Sequence, residues 1–388
     1  MTSFQLSEAD RMVQQTAHDF AAREVRPVAM EYDERDEYAW DVASKAAEIG
    51  LTGVPLGGHS AVPGITAMIT AEELSWGCAG IALGTQVSGL AATAISVIGT
   101  PEQNERWIPE CTSEDGKLRL GALALTEPDA GSDAGMIKTR ATRDGDEYVL
   151  NGTKRFITGG GIADLTVVFA RESDSEGWRD VSAFVVPKDA EGFSQIKKWD
   201  KMGIRASHTA DLAFDDVRIP LENRLGDPDP DYRSGGRGAL GTLAATRPWI
   251  GAFAVGLARA AFEYAADYAR ERKTMSRPLI EHQGVGFMLA DMDIAIDAAR
   301  LLTWRAGEMA ASNQPFDLEE ASKAKTFASD MAMKITTDAV QVCGGVGFMR
   351  ELPLEKWMRD AKIFQIFEGA NQIQRMVIAR NIQGRYFA

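Results

Sequence analysis

The pattern of hydrophobic residues changes twice along the chain, and these changes set the order of its structural units. Apolar residues at helical spacing fill the first third and return after about residue 233. Between them lie short runs rich in Val, Ile, Phe and Thr, separated by turn residues, at 147–158, 165–170, 181–187 and 209–219. A stretch rich in Pro, Gly and charge, 227–237, predicts a linker. The order predicts an α+β multidomain protein with an N-terminal α-helical domain (1–119), a middle antiparallel β-barrel or sheet (120–232) and a C-terminal helical bundle (233–388).

Three shorter patterns give local predictions. Ser7, three residues before an acidic residue, predicts a capping box at the start of the first helix. Alternation around Asn151-Gly152 predicts a β-hairpin, because this dipeptide favours tight turns. Glu72 and Glu73 interrupt an otherwise apolar helical segment, and we interpret them as its solvated face.

Charge and cysteine content narrow the class of protein. The formal net charge of −14 disfavours nucleic acid and anionic membranes as partners, because both require a basic surface. We find no apolar run of membrane-spanning length and no secretion signal or Arg-rich transit segment. The three cysteines lie far apart, which fits free thiols in a reducing compartment. The predicted location is therefore cytoplasmic.

Several common catalytic and cofactor motifs are missing. The four histidines show no metal-ligand spacing, so we expect no metal site, and no GxSxG nucleophile motif occurs. Gly236, Gly238 and Gly241 match GxGxxG, but the preceding DPDPDYRSG cannot form a buried strand. We interpret this match as accidental, so any nucleotide cofactor must be held by another device.

Three segments have unusual chemistry. Residues 123–133 join an apolar strand to polar, Gly-containing turns that can present N–H groups and hydroxyls, although a plain β-turn would look similar. Residues 341–348 carry three glycines in four positions, which suit either a helix C-cap or close backbone approach to a ligand. Residues 364–374 place Glu368 among apolar neighbours, directly before Gly369.

The position of Glu368 suits a general base. Asn371 and Gln374 resemble an N-cap and its partner, so Glu368 should lie on a loop between two helices. Apolar surroundings raise the pKa of a carboxyl toward neutrality, where a base works best. The alternative is an ordinary loop glutamate near a helix N-terminus.

Together these segments resemble the acyl-CoA dehydrogenase family, and the C-terminal half is most similar to its medium- and short-chain members. The resemblance spans nearly the whole chain. The matching strings are LTEPDAGSD (125–133), LNGTKRFITGG (150–160), MGIRASHTADLAFDDVRIP (202–220), ERKTMSRPLIEHQ (271–283), DAVQVCGGVGF (338–348) and MRDAKIFQIFEGANQIQ (358–374).

The resemblance implies a fold and a reaction. It implies a C-terminal four-helix bundle and FAD held between this bundle and the β-domain, with the adenine end reaching the neighbouring subunit of a homotetramer (a dimer of dimers). It also implies that Glu368 removes the α-proton of an acyl-CoA while the β-hydrogen leaves to the flavin, giving trans-2-enoyl-CoA. Electrons would pass to an electron-transfer flavoprotein.

The resemblance also assigns individual residues. Thr126 would bond the flavin edge, Phe156 and Thr158 would cover its ring, and Arg247 would face CoA or support the catalytic loop. The full cofactor set is Leu123, Leu125, Thr126, Ser132, Phe156, Thr158, Arg272, Thr274, Gln283, Gln341, Gly344, Gly345 and Gln372. The substrate set is Ser132, Arg247, Gly369 and Arg380.

Other activities on the same fold stay open. Some relatives carry the base at the position of Thr246, which cannot act as a carboxylate, and this favours Glu368. A flavin oxidase or monooxygenase, a dehydrogenase of carrier-protein thioesters, and a catalytically idle scaffold subunit remain alternatives. Small residues within 80–100 are compatible with a roomy acyl slot or with tight helix packing.

Overall fold

The computed structural model describes residues 6–52, 64–113, 115–174, 177–178, 180–227, 234–312 and 318–387. Most of the predicted linker 227–237 lies outside them. The N-terminal helices are α1 (Glu8–Phe20), α2 (Ala29–Arg35), α3 (Trp40–Glu48), α4 (Ile65–Gly77), α5 (Ala79–Gln86), α6 (Ser88–Ile98) and α7 (Pro101–Trp107). The predicted capping box is confirmed at Ser7, whose hydroxyl accepts from the Asp10 N–H.

Seven strands form the middle β-sheet. They are β1 (Gly121–Ala124), β2 (Arg140–Asp144), β3 (Glu147–Thr158), β4 (Leu165–Arg171), β5 (Val181–Pro187), β6 (Phe193–Lys198) and β7 (Thr209–Pro220). The sheet order is β1-β4-β2-β3-β7-β6, and β5 pairs with β4. The prediction of a wholly antiparallel sheet needs correction, because β1 and one residue of β2 pair with β4 in parallel.

The predicted hairpin at Asn151-Gly152 is wrong, since β3 runs unbroken through both residues. Its pairing with β7 shifts register between Leu150 and Gly152, which marks a bulge. A Cβ on Gly152 would lie 2.6 Å from Thr139 Oγ1, so the glycine allows a close approach of neighbouring chain segments. The turn that does join two strands lies at Gly145, between β2 and β3.

The C-terminal helices are α8 (Ser234–Glu271), α9 (Gln283–Ala311), α10 (Leu318–Cys343), α11 (Leu354–Phe364) and α12 (Asn371–Phe387). A two-stranded ribbon, β8 (Lys273–Thr274) and β9 (Arg277–Pro278), joins α8 to α9. All three glycines of the GxGxxG match lie within α8, which begins at Ser234, so they do not form a turn that opens a helix, as the motif requires. The long helix α8 packs on α4, α6, α9 and α10.

Helices α4 and α8 approach so closely that a Cβ on Gly256 would lie 2.0 Å from the Glu72 carbonyl oxygen. The interpretation of Glu72 and Glu73 as a solvated face is wrong, because they are 1% and 3% exposed. Arg259 of α8 pairs with both carboxylates, and Arg300 of α9 donates to Glu72 Oε1 at 2.9 Å. These ion pairs join the N-terminal helices to the C-terminal bundle.

A second expectation about the N-terminal helices also needs correction. Residues Ala79–Ile98 are apolar and long enough to cross a membrane by composition, although 78% of the window is buried inside the fold. The small side chains here pack tightly. A Cβ on Gly84 would lie 3.0 Å from the Tyr38 ring, and one on Gly121 would lie 2.8 Å from the Cβ of Ala91. These contacts favour the helix-packing explanation of the small residues.

Candidate active site

Glu368 lies on a tight loop between α11 and α12. Glu368 and Gly369 both have left-handed backbone conformations, with φ of 54° and 90°. A Cβ on Gly369 would lie 2.4 Å from Gln374 Nε2, so glycine is required there by both conformation and space. A non-glycine residue in this region is uncommon, and Glu368 shares it with seven other described residues, so the side-chain contacts of Glu368 carry the functional argument.

The Glu368 side chain contacts α8. Thr246 Oγ1 on α8 donates to Glu368 Oε2 at 3.0 Å. The rings of Phe364 and Phe367 stack edge to face just before it, with centroids 5.6 Å apart. Burial raises the pKa of Glu368 above its ordinary value, and the charge of Arg247 together with the Thr246 hydrogen bond opposes that rise. This is the environment expected of a general base.

Three side chains donate hydrogen bonds to the backbone carbonyls of the Glu368 loop. Arg247 Nε donates to the Glu368 carbonyl at 3.1 Å, and Gln374 Nε2 donates to the carbonyls of Glu368 and Gly369 at 3.0 Å each. Lys325 Nζ donates to the Gly369 carbonyl at 2.8 Å. Among the described residues, the Glu368 N–H has no backbone acceptor, so it is left to bind another group.

Two predictions about this loop, the role of Arg247 and the cap of α12, can be compared with the contacts in the structure. Arg247 contacts the loop, as the second of its two predicted roles requires. Helix α12 begins at Asn371, but the predicted pairing of Asn371 with Gln374 as a cap is wrong. Asn371 instead bonds Lys325 and Ser329 of α10, and Gln374 Oε1 accepts from Ser322 Oγ at 2.7 Å.

A second group of candidate residues lies on the β-domain. Leu123 and Leu125 are partly exposed, whereas the alternate residues Ala122 and Ala124 are buried. The Thr126 carbonyl accepts from the N–H of Arg155, which places Thr126 beside the next residue, Phe156. Phe156 is 54% exposed and tilts against Trp199 at 5.2 Å, and Thr158 pairs with Thr209. Ser132 lies on the exposed turn that follows Thr126 in the chain.

A third group lies at the far end of the bundle. Arg272, Thr274 and Gln283 are exposed around the β8–β9 ribbon, and Gln341, Gly344 and Gly345 are exposed at the end of α10. Helix α8 runs from beside Glu368, at Thr246, to Glu271 next to this group. At 1.5 Å per residue these ends are about 37 Å apart. Helix α8 thus separates the Glu368 loop from this third group along its length. Gln372 and Arg380 are exposed on α12.

Two buried lysines near these groups were not identified from the sequence. Lys325 lies on the buried face of α10 among alanines, and Lys154 lies on an inward-facing position of β3. Lys154 Nζ donates to the Leu125 carbonyl and to Glu127 Oε1, directly behind the candidate flavin strand. The available signal was periodicity, because each lysine stands where the helix or strand pattern requires an apolar residue.

Comparisons with known proteins agree with this arrangement. Models of the acyl-CoA dehydrogenase N-terminal, middle and C-terminal domains match residues 7–115, 122–217 and 233–383. A short-chain-specific acyl-CoA dehydrogenase of Clostridium acetobutylicum is 38% identical over 98% of this chain and 99% of its own. The chain belongs to the acyl-CoA dehydrogenase family.

Solved structures give the same result. Butyryl-CoA dehydrogenase from Megasphaera elsdenii matches with a TM-score of 0.91 and 37% identity, covering 98% of this chain and 100% of that chain. A structure described as the electron transferring flavoprotein of Acidaminococcus fermentans matches with a TM-score of 0.92 and 37% identity, covering 98% and 99%. The protein is thus an FAD-dependent acyl-CoA dehydrogenase, with the N-terminal helical, middle β half-barrel and C-terminal helical domains of that fold.

The residues present fit the cofactor. Flavin needs a flat, largely apolar face with polar groups at one edge. The partly exposed Leu123, Leu125 and Phe156 beside Thr126 and Thr158 supply this combination on one side of the β-domain. Among the described residues, no group of three or more His, Cys, Asp or Glu side chains could hold a metal ion.

Proposed function

We propose that the protein dehydrogenates an acyl-CoA between its α- and β-carbons to give the trans-2-enoyl-CoA, with Glu368 as the base. The observation that carries this proposal is the Glu368 carboxyl itself. It lies on a left-handed loop, its pKa is raised by burial, and its Oε2 is oriented by the Thr246 hydroxyl at 3.0 Å. These features prepare a carboxylate to take a weakly acidic proton near neutral pH.

The loop also supports charge on the substrate. The Glu368 N–H has no backbone acceptor among the described residues, so it can donate to the thioester oxygen. A hydrogen bond there favours the enolate-like charge that develops as the α-proton leaves. Bound FAD supplies the acceptor for the β-hydrogen. Glu368 ends the step protonated, and its buried surroundings favour that neutral form.

The cofactor is proposed to lie across two subunits. Leu123, Leu125, Thr126, Phe156 and Thr158 would border the flavin of their own chain, with Ser132 near its phosphate or the substrate. Arg272, Thr274, Gln283, Gln341, Gly344 and Gly345 would contact the FAD of a neighbour, and Gln372 would meet the cofactor from α12. The separation of about 37 Å along α8 between Thr246, beside Glu368, and Glu271, beside the ribbon, supports this division.

A surface of α9 supports the proposed homotetramer. Phe287, Ile294 and Leu301 recur every seven residues on one helix face and are 64%, 68% and 43% exposed. An exposed apolar stripe of this kind fits a subunit interface. We predict that Ile294→Lys lowers the mass in solution from four times the 42.1-kDa chain toward one or two chains, with loss of bound FAD.

Light scattering after size-exclusion chromatography, together with the flavin-to-protein ratio, measures both effects. Ile196→Lys is the matched control, because this isoleucine is 58% exposed on β6, outside the helical bundle. A tetramer with full flavin content in Ile294→Lys would contradict the proposed interface, and equal losses in both variants would show a general effect of the added charge.

The short-chain and butyryl-CoA dehydrogenases among the relatives support a short, linear acyl chain as substrate. The tight packing of the small residues in α5 and α6 agrees with a shallow slot. The likeness to the structure from Acidaminococcus fermentans supports an electron-transfer flavoprotein as acceptor, and the exposed Phe156 offers it a surface near the flavin. The free cysteines support a cytoplasmic location.

Turnover with different acyl chains and acceptors tests this proposal. We predict that butyryl-CoA is oxidised faster than octanoyl- or palmitoyl-CoA when an electron-transfer flavoprotein accepts the electrons, and that little oxygen is consumed. Oxygen uptake at the rate of turnover would instead identify an oxidase. Activity confined to carrier-protein thioesters would identify the carrier-protein alternative, and a purified protein without flavin absorbance would identify an idle scaffold.

A further inference from the structure

The buried side chain of Lys325 contacts the loop that carries Glu368. Lys325 of α10 is 0% exposed, and its Nζ donates to the Gly369 carbonyl and to Asn371 Oδ1, both at 2.8 Å. Both acceptors lie within the three residues that follow Glu368 in the chain. A lysine is rarely buried without a carboxylate bonded to it, because removing an ammonium from water is costly. Here it bonds two neutral oxygens instead.

The neighbouring residues on the buried face of α10 are small and uncharged, namely Ala321, Ser322, Ala324, Ala328 and Ser329, all at most 1% exposed. Asp330, also on α10, favours the charged lysine less than Glu368 does. Burial lowers the pKa of Lys325 to about 7, and the charge of Glu368 opposes this shift. The Glu368 carboxylate is therefore the group that most favours the charged form of this lysine.

Charged groups from each packed helix act on the same loop. Arg247 of α8 donates to the Glu368 carbonyl, and its charge adds to that of Lys325. Asp330 of α10 accepts from Asn371 Nδ2 at 2.8 Å and pairs with Arg375 of α12, so its negative charge is already shared. Among the described residues, Arg247 and Lys325 are the cations that act on the pKa of Glu368.

We propose that Lys325 is a positioning residue for the catalytic base. Its two hydrogen bonds fix the turn at Gly369 and the start of α12, which keeps the Glu368 side chain and N–H directed toward the substrate. Its positive charge stabilises the carboxylate form of Glu368, so that the base is ionised at a lower pH. This inference rests on the proposed function, because it assigns a role in the reaction that Glu368 performs.

The test is the pH dependence of flavin reduction by acyl-CoA in Lys325→Met, followed by stopped-flow absorbance. We predict a rate about 10–100-fold lower at neutral pH, since losing a positioning contact near the reacting atoms has effects of this size. We also predict that the acid limb of the profile moves to higher pH, because removing a nearby positive charge raises the pKa of Glu368. The FAD content and the KM for acyl-CoA should stay close to those of the wild type.

Lys334→Met is the matched control, since Lys334 lies on the same helix but is 71% exposed. Lys325→Gln provides a second variant that lacks the charge but keeps a donor. An unchanged acid limb in a folded, flavin-containing Lys325 variant would overturn the proposal, as would failure of both variants to fold, which would assign a structural role. Absence of flavin reduction in the wild type would instead refute the proposed function.

Discussion

Glu368→Gln is expected to slow flavin reduction by acyl-CoA about 10²–10⁴-fold, the usual contribution of a general base. Glutamine keeps the size of the side chain and can still accept from Thr246 Oγ1, so acyl-CoA binding should change little. The loss should therefore appear in kcat and not in KM. Stopped-flow absorbance of the flavin, under anaerobic conditions, measures the rate directly.

The same substitution should not destabilise the protein. Because burial raises the folded-state pKa of Glu368, the folded state retains a proton that the unfolded state has lost, and stability falls as the pH rises from about 4.5 through the folded pKa. An uncharged glutamine does not incur this cost, so the Tm of Glu368→Gln at pH 7 should equal or exceed that of the wild type. Glu351→Gln, an exposed neighbour before α11, is the control. A reduction rate within tenfold of the wild type would remove Glu368 from its assigned role.

Arg259→Met is expected to lower the free energy of unfolding by about 3–5 kcal/mol, because it leaves buried carboxylates without a partner. Arg259 contacts Glu72 and Glu73, and Arg300 compensates only Glu72. His18 Nδ1 and Gln14 Nε2 are left as the remaining contacts of Glu73, each at 3.0 Å. Urea denaturation followed by circular dichroism measures the loss, where unfolding is reversible.

The pH dependence of this effect has a defined sign. Arg259, His18 and Gln14 hold the pKa of Glu73 below its ordinary 4.5. Its stabilising contribution is therefore fully present above about pH 4.5 and is lost as the pH falls through the lower folded-state pKa. The difference between the wild type and Arg259→Met should narrow in this acid range. Arg270→Met, an exposed arginine on the same helix, should change stability by less than about 1 kcal/mol. Equal effects of the two substitutions would contradict the account.

The order of helices and strands could be predicted because hydrophobic periodicity records which faces are buried. The errors arose where tertiary contacts override local preference. Asn151-Gly152 favours a turn by itself, but the space beside Thr139 turns it into a bulge within β3. Glu72 and Glu73 carry charged side chains, which by themselves suggest exposure to solvent. Their arginine partners lie at least 186 residues away along the chain. No local pattern reveals such a pair.

The residues of the candidate site also differ in whether a local sequence pattern could reveal them. Glu368 was a candidate because an acidic residue before glycine, between two apolar helices, is a local feature, and the family resemblance favoured it over an ordinary loop glutamate. The role of Thr246 as its hydrogen-bond donor depends on a contact 122 residues apart. Lys325 was missed because its acceptors are a backbone carbonyl and an amide on another helix, which leave no signature in side-chain spacing. The sequence thus indicates the proposed base, and the fold shows which residues contact it.

Anaerobic titration of the purified protein with butyryl-CoA, with the flavin absorbance recorded and the products separated, tests the central claim most directly. The account predicts that the flavin bleaches in the wild type with formation of the trans-2-enoyl-CoA, and that Glu368→Gln keeps its flavin colour under the same conditions. A wild-type protein that contains FAD yet is bleached by none of a panel of short, medium and long acyl-CoAs would contradict it.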